Sequence, residues 1–257
     1  MLVFFIVAVI LLVSMCVGRR PTRARGKCYG RNWVTMTTLP ERLAHPWFKE
    51  TLERTISICQ ASNATLLLQV PIRSQKNIPY NVPEDIKRLQ CRHFVIRRVT
   101  VDEGPITKLL PALRDDSIKR DDTVVVCDDD IVYKHDIFAL LIDSARRHPG
   151  SVSCMCVGKP QGYAGFAFKK HMLEGLTRLT IPDSCRYIDD DVVDWFVKEH
   201  RIGLKVIKHG LLDGTWTCSM LQDETDKHPQ WDELRNDNRG PMVEHCVSDI
   251  QSNTHPQ

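Results

Sequence analysis

A chain of 257 residues with 42% hydrophobic and 26% charged side chains has ordinary globular usage, which excludes a disordered, collagen-like or multi-span membrane protein. The formal net charge is only +3 and the dense basic residues are confined to positions 19–27, so nucleic acid is not expected as a partner. The acidic total hides an asymmetry of 22 Asp against 10 Glu, and an excess of Asp belongs in caps, turns or metal ligation rather than on helix surfaces.

Met1 to Val17 is an uncharged apolar run followed by Arg19, Arg20, Arg23, Arg25 and Lys27. As a helix it is just long enough to cross a bilayer, and it lacks the basic start and A-x-A-like site of a secretory signal. The expectation is a membrane protein with a single-pass N-terminal anchor (1–18), a basic stem (19–30) and one domain (31–257). A cleaved signal or a merely hydrophobic start are the alternatives. Basic residues behind the span favour a cytosolic domain, whereas the sequon Asn63-Ala64-Thr65 would matter only in a Golgi or ER lumen, so the side is left open.

Beyond the stem, strand-like and helix-like segments alternate. Trp33–Met36 predicts a strand and residues 41–59 a helix whose regular part starts at Pro46. Thr65–Val70 and Phe94–Val101 predict strands, Ile106–Leu113 a short helix interrupted near Pro111, and Thr123–Cys127 an apolar strand. A helix at 136–147, strands near 151–157 and 164–168, a helix from about 191 to 200 and a strand at Leu204–Ile207 follow; from 210 onward the periodicity fades into polar sequence. Continuous apolar strands between helices predict an α/β domain with a mostly parallel central sheet flanked by helices. The ten cysteines are too few for a disulfide scaffold and lack C-x-x-C pairs; Cys154 and Cys156 read as buried thiols, and the redox compartment stays open.

Asp128-Asp129-Asp130 follows the strand 123–127 directly, at the carboxyl end where open α/β sheets place their ligand crevice. Three adjacent carboxylates repel one another, and a divalent cation with oxygen ligands, Mn2+ or Mg2+, offsets that; a solvated acidic turn is the other reading. Asp189-Asp190-Asp191 opens the apolar-periodic run Val192, Val193, Phe196, Val197. An Asp cap with first-turn acids explains it without function, while the functional reading makes one carboxylate a general base. The sequence has no G-x-S-x-G elbow, Walker A loop, H-E-x-x-H or Gly-rich Rossmann fingerprint, and His245 reads as an ordinary histidine rather than a ligand.

Taken together these residues resemble the GT-A-type nucleotide-sugar glycosyltransferases, in particular the glycosyltransferase 2-like enzymes of large algal viruses and microbes. Val34–Arg42 is similar to the family's T-T-x-P-x-R segment beside the nucleotide base, and Gly104-Pro105-Ile106-Thr107-Lys108-Leu109, preceded here by Asp102-Glu103, to its G-P-x-T-K-L segment. Asp128-Asp129-Asp130-Ile131-Val132-Tyr133 looks like its D-x-D metal motif, Gly162–Phe166 like its acceptor-side glycine segment, and Asp190-Asp191-Val192 like the D/E-D-V that carries the base. The resemblance implies a GT-A fold and a metal-dependent, inverting transfer of a hexosyl or deoxyhexosyl group from a nucleotide-sugar donor, a UDP-sugar first, to a hydroxyl of a glycan or glycoconjugate acceptor. It further implies donor binding by Thr37, Thr38, Pro40, Arg42, Lys108, Asp128 and Asp129, metal ligation by Asp128 and Asp130, and Asp190 or Asp191 as base. An inactive, membrane-anchored sugar-nucleotide binding protein and a nucleotidyltransferase are the alternatives.

Overall fold

The computed structural model describes residues 30–156, 158–185, 187–207, 218–220 and 239–254. In chain order the main elements are β1 (Asn32–Thr37), α1 (Pro46–Ala61), β2 (Thr65–Pro71), β3 (Phe94–Val99), β4 (Thr123–Val126), β5 (Ile131–Tyr133), α2 (Ile137–Arg147), β6 (Ser151–Cys154), β7 (Phe166–Lys169), α3 (Asp189–Glu199), β8 (Gly203–Val206), β9 (Cys218–Met220) and α4 (Arg239–Thr254). Seven strands form one sheet in the order β3-β2-β1-β4-β7-β6-β8, and β5 pairs with β9 apart from it. Within the large sheet only β7 runs against its neighbours, pairing antiparallel with both β4 and β6.

The strand period explains how this sheet is buried on two faces. Val34 and Met36 of β1, Leu66, Leu68 and Val70 of β2 and Val125 of β4 turn to the face covered by α1 and α2. Their chain neighbours Trp33, Leu67, Val124 and Val126 turn to the other face, covered by α3 and α4. In α1, Phe48, Leu52, Ile56 and Cys59 recur at helical spacing and are buried, and Pro46 opens the helix where no N–H is needed. The helix expected at 106–113 is a 3-10 turn (Gly104–Lys108) followed by an α turn (Leu110–Arg114). Pro111 lies in the first turn of the second piece, so the break falls just before it.

The sequence hid two features. Residues 239–254 read as polar, yet they form α4, whose Cys246 and Ile250, one turn apart, are fully buried. A disulfide joins Cys185 to Cys246 across 61 positions, worth about 4 kcal/mol in the chain-entropy account. The expectation of a single-pass membrane anchor is corrected. No helix among the described residues is long and apolar enough to cross a membrane, the longest being the 16-residue α1 and α4. The run 1–18 lies outside the described residues, so no membrane partner is retained.

At the amino end of β4, Asp122 ties the sheet to its surroundings. Its carboxylate accepts the backbone N–H of Arg31 (2.8 Å), the backbone N–H of Lys119 (2.9 Å) and the Trp33 indole N–H (2.9 Å). Asp122→Ala strands these donors and should destabilise the protein by about 3 kcal/mol in urea unfolding. A loss under 1 kcal/mol would show that the three bonds are replaced by water.

Candidate functional site

The chain leaves β4 into Asp128-Asp129-Asp130 beside the carboxyl end of β1, where Cys127 N donates to Thr35 O at 3.2 Å. Between β1 and β4 the strand order reverses direction, which is where open α/β sheets form their crevice. Residues 38–42 border it. Pro40 opens the turn Pro40–Leu43 that presents Arg42. The Arg42 guanidinium reaches Asp129 Oδ1 at 2.6 Å and Asp130 Oδ2 at 3.3 Å, and lies 5.9 Å from the Trp47 ring centre. Thr37 Oγ1 donates to Gln69 O at 2.9 Å. Thr38 Oγ1 and Asp129 Oδ2 are both buried, and the Thr38 hydroxyl lies by the Asp129 carboxylate, whose charged form it favours.

The second triplet forms the first turn of α3. Lys108, buried at the end of the G-P-x-T-K turn, joins the two triplets, with Nζ 2.6 Å from Asp128 Oδ1 and 2.8 Å from Asp189 Oδ2. Asp190 Oδ1 accepts the Gly162 N–H at 2.9 Å, and Asp191 Oδ1 accepts from Lys159 Nζ. A Cβ at Gly162 would stand 2.5 Å from both Asp128 Oδ1 and Lys108 Nζ, so a side chain there would have to displace the tips of that ion pair. The buried Tyr133 hydroxyl accepts the Asp128 N–H and donates to Gly162 O. Thus Arg42, Lys108, Asp128–Asp130, Asp190 and Asp191 converge with Gly162 on one crevice, and Thr38 borders it.

Sequence reasoning missed Tyr133 and Lys159. Tyr133 closes the block that resembles the D-x-D motif and has no role of its own there, and Lys159 sits in an irregular Gly/Pro stretch without periodicity. The two acids before the G-P-x-T-K turn are engaged locally. Asp102 accepts the Gly104 N–H (2.9 Å), the Gln75 N–H (3.2 Å) and the Tyr80 hydroxyl (3.3 Å), and Glu103 pairs with Arg114 at 2.7 and 2.9 Å. His245 stands 3.7 Å from Asp249, one turn along α4. The polar stretch 236–238 lies outside the described residues.

Charge balance dominates the electrostatics: six carboxylates meet Arg42, Lys108 and Lys159. Burial pushes the Asp130 carboxyl up to about 7, with Asp129 and Asp128 adding to the rise and Arg42 opposing it. Asp129 is raised by burial as well. Burial and the neighbouring Asp189 and Asp128 raise Asp190 to about 7, against Lys108 and the Gly162 N–H. For Lys108 burial disfavours the charge, but Asp128, Asp189 and Asp190 outweigh it and hold the ammonium well above the usual lysine range. A crevice with more carboxylates than cations suits a divalent cation. Among the described residues no group of three or more His, Cys, Asp or Glu is gathered to hold one, so the protein would supply few ligands and a bound phosphate the rest.

No protein-family profile and no curated protein matches the chain. Among solved structures, a mannosyltransferase from Pyrobaculum calidifontis, in complex with GDP-Man and Mn2+, aligns with a TM-score of 0.55 at 14% identity, over 86% of this chain and 69% of that one. A cytidylyltransferase from Leptospira borgpetersenii gives 0.48 at 15% identity, over 70% of this chain and 76% of that one, too remote to carry an argument. At such identity the likeness is one of fold: this chain's mostly parallel sheet with its flanking helices resembles the architecture of that mannosyltransferase.

Proposed function

We propose that this protein is a glycosyltransferase that moves a sugar from a nucleoside-diphosphate donor to an acceptor hydroxyl of a glycan or glycoconjugate, with inversion. The observation that carries the reading is the meeting of the two acidic triplets across Lys108 and Gly162 at the β1/β4 switch point. One acidic group then serves the donor and the other the acceptor. The fold shared with an enzyme whose structure contains GDP-Man and Mn2+ supports the donor class. Asp128 and Asp130 would hold Mn2+ or Mg2+, which when bound offsets the charge of the departing nucleoside diphosphate. Thr37, Thr38 and Pro40 border the base side of the donor. Arg42 keeps Asp129 and Asp130 in place and, with Lys108, adds positive charge beside the phosphates.

Asp190 is the base in this reading. Asp189 is occupied by Lys108 and Asp191 by Lys159, whereas Asp190 accepts one backbone N–H and sits near pKa 7, suited to taking a proton from a hydroxyl. The acceptor oxygen, losing its proton to Asp190, attacks the anomeric carbon from the face opposite the diphosphate.

The test measures nucleoside diphosphate release from UDP-, GDP- and dTDP-sugars with Mn2+ and with EDTA, for the wild type and Asp130→Asn. The variant should turn over roughly 100- to 1,000-fold more slowly. Equal activity in the two proteins sinks the metal assignment. Pyrophosphate release from nucleoside triphosphates would instead mark a nucleotidyltransferase, and donor binding without turnover a binding protein.

A further inference from the structure

We propose that Tyr133 is a positioning residue of the transfer reaction: its hydroxyl fixes the Gly162 turn, and through Gly162 it fixes the carboxylate of Asp190. The inference rests on the reading of Asp190 as base. Tyr133 belongs to neither acidic triplet and is 1% exposed on β5. Its hydroxyl accepts the Asp128 N–H at 2.9 Å and donates to the Gly162 carbonyl at 3.0 Å. Gly162 in turn donates its N–H to Asp190 Oδ1 at 2.9 Å. Three hydrogen bonds therefore run from the end of β4 to the first turn of α3, passing through one tyrosine and one glycine.

The glycine makes the tyrosine necessary. A Cβ at 162 would lie 2.5 Å from Asp128 Oδ1 and from Lys108 Nζ, so the backbone must pass against that ion pair with no side chain to anchor it. Its own N–H and C=O hold it: the N–H donates to Asp190, and the carbonyl accepts from the Tyr133 hydroxyl and, within its own turn, from the Gly165 N–H at 3.0 Å. Without the hydroxyl, Asp128 N loses its partner and Gly162 O keeps only the Gly165 N–H of its own turn, so nothing ties that turn to β5 and it shifts. Asp190 follows, since the bond it accepts comes from the same residue. The ring is held independently: β5 pairs with β9, and Phe138 packs 5.4 Å away at a tilt. Tyr133→Phe therefore removes the hydroxyl while keeping the packing.

The experiment pairs amide hydrogen exchange with kinetics. In the wild type the Gly162 amide should exchange about as slowly as those of Val124–Val126 in β4. In Tyr133→Phe its exchange should rise about tenfold or more while the β4 amides stay unchanged. The same variant should lose about tenfold in kcat at saturating donor and Mn2+, conditions that leave the base as the element read even though Asp128 loses its N–H partner as well. In an Asp190→Asn background the kcat loss on adding Tyr133→Phe should vanish, which a general loosening of the fold would not produce. Fast Gly162 exchange in the wild type, or unchanged exchange in the variant, overturns the proposal even if the variant folds poorly. If the wild type transfers no sugar, the transferase reading falls, and the exchange result decides the tyrosine-to-glycine link by itself.

Discussion

Asp190→Asn should lower kcat by about a thousandfold and leave donor KM within a few fold. A general base contributes roughly 10²–10⁴, and the amide cannot take the proton although it can keep the bond from Gly162 N. The two neighbouring carboxylates cannot substitute, because each is engaged by a lysine. The wild type should also show kcat/KM rising with pH through about 7, since the base must be ionised and burial has raised Asp190 to about 7. For stability the sign is opposite. An acid whose folded pKa lies above its unfolded value of 3.8 stabilises the fold below that value, and the contribution is lost as pH rises through 7. Asp190→Asn should therefore be more stable relative to the wild type at pH 8 than at pH 5. Wild-type kcat/KM that stays flat from pH 5.5 to 8.5, or near-normal kcat in the variant, would remove Asp190 from the role.

Lys108→Met should have the largest effect on folding, about 4 kcal/mol lost at pH 8 in chemical denaturation. The lysine is 5% exposed and serves two carboxylates at 2.6 and 2.8 Å; removing one member of a buried ion pair typically costs 3–5 kcal/mol, because the remaining charge is uncompensated. Methionine fills the volume, so the loss reports charge rather than a cavity. Lysine itself stays protonated over the whole range, being held well above its usual value. The deficit should thus shrink toward pH 5, where Asp190, deprived of the cation that lowers it, is neutral. A deficit independent of pH would point to packing instead.

The scaffold was largely legible because it follows from apolar periodicity. The run ending at Cys127 predicted a buried strand with carboxylates at its carboxyl end, and Val192, Val193, Phe196 and Val197 predicted a helix behind the second triplet. The roles within each triplet were not legible. Which of three adjacent aspartates stays without a lysine depends on cations brought from elsewhere: Arg42 is 87 residues from Asp129, Lys108 is 20 from Asp128 and Lys159 is 32 from Asp191. Local pattern carries no information about such meetings. The last helix escaped for a related reason. With Cys246 and Ile250 as its fully buried residues, α4 has too narrow an apolar stripe to show a period, and part of its attachment is covalent. Asp102 and Glu103, the two acids before the G-P-x-T-K turn, show the same limit, since their partners Gln75, Tyr80 and Arg114 come from other parts of the chain.

The bridge between Cys185 and Cys246 also decides what a break in the chain would do. Residue 185 precedes α3 by four positions, and 246 lies inside α4, so everything from α3 through β9 is enclosed in one covalent ring. A single nick between β8 and α4 opens that ring without releasing either piece. The two fragments would migrate as one chain on a non-reducing gel and separate only once a reductant cleaves the bridge. Until then α4 stays tethered beside the helix that carries Asp190.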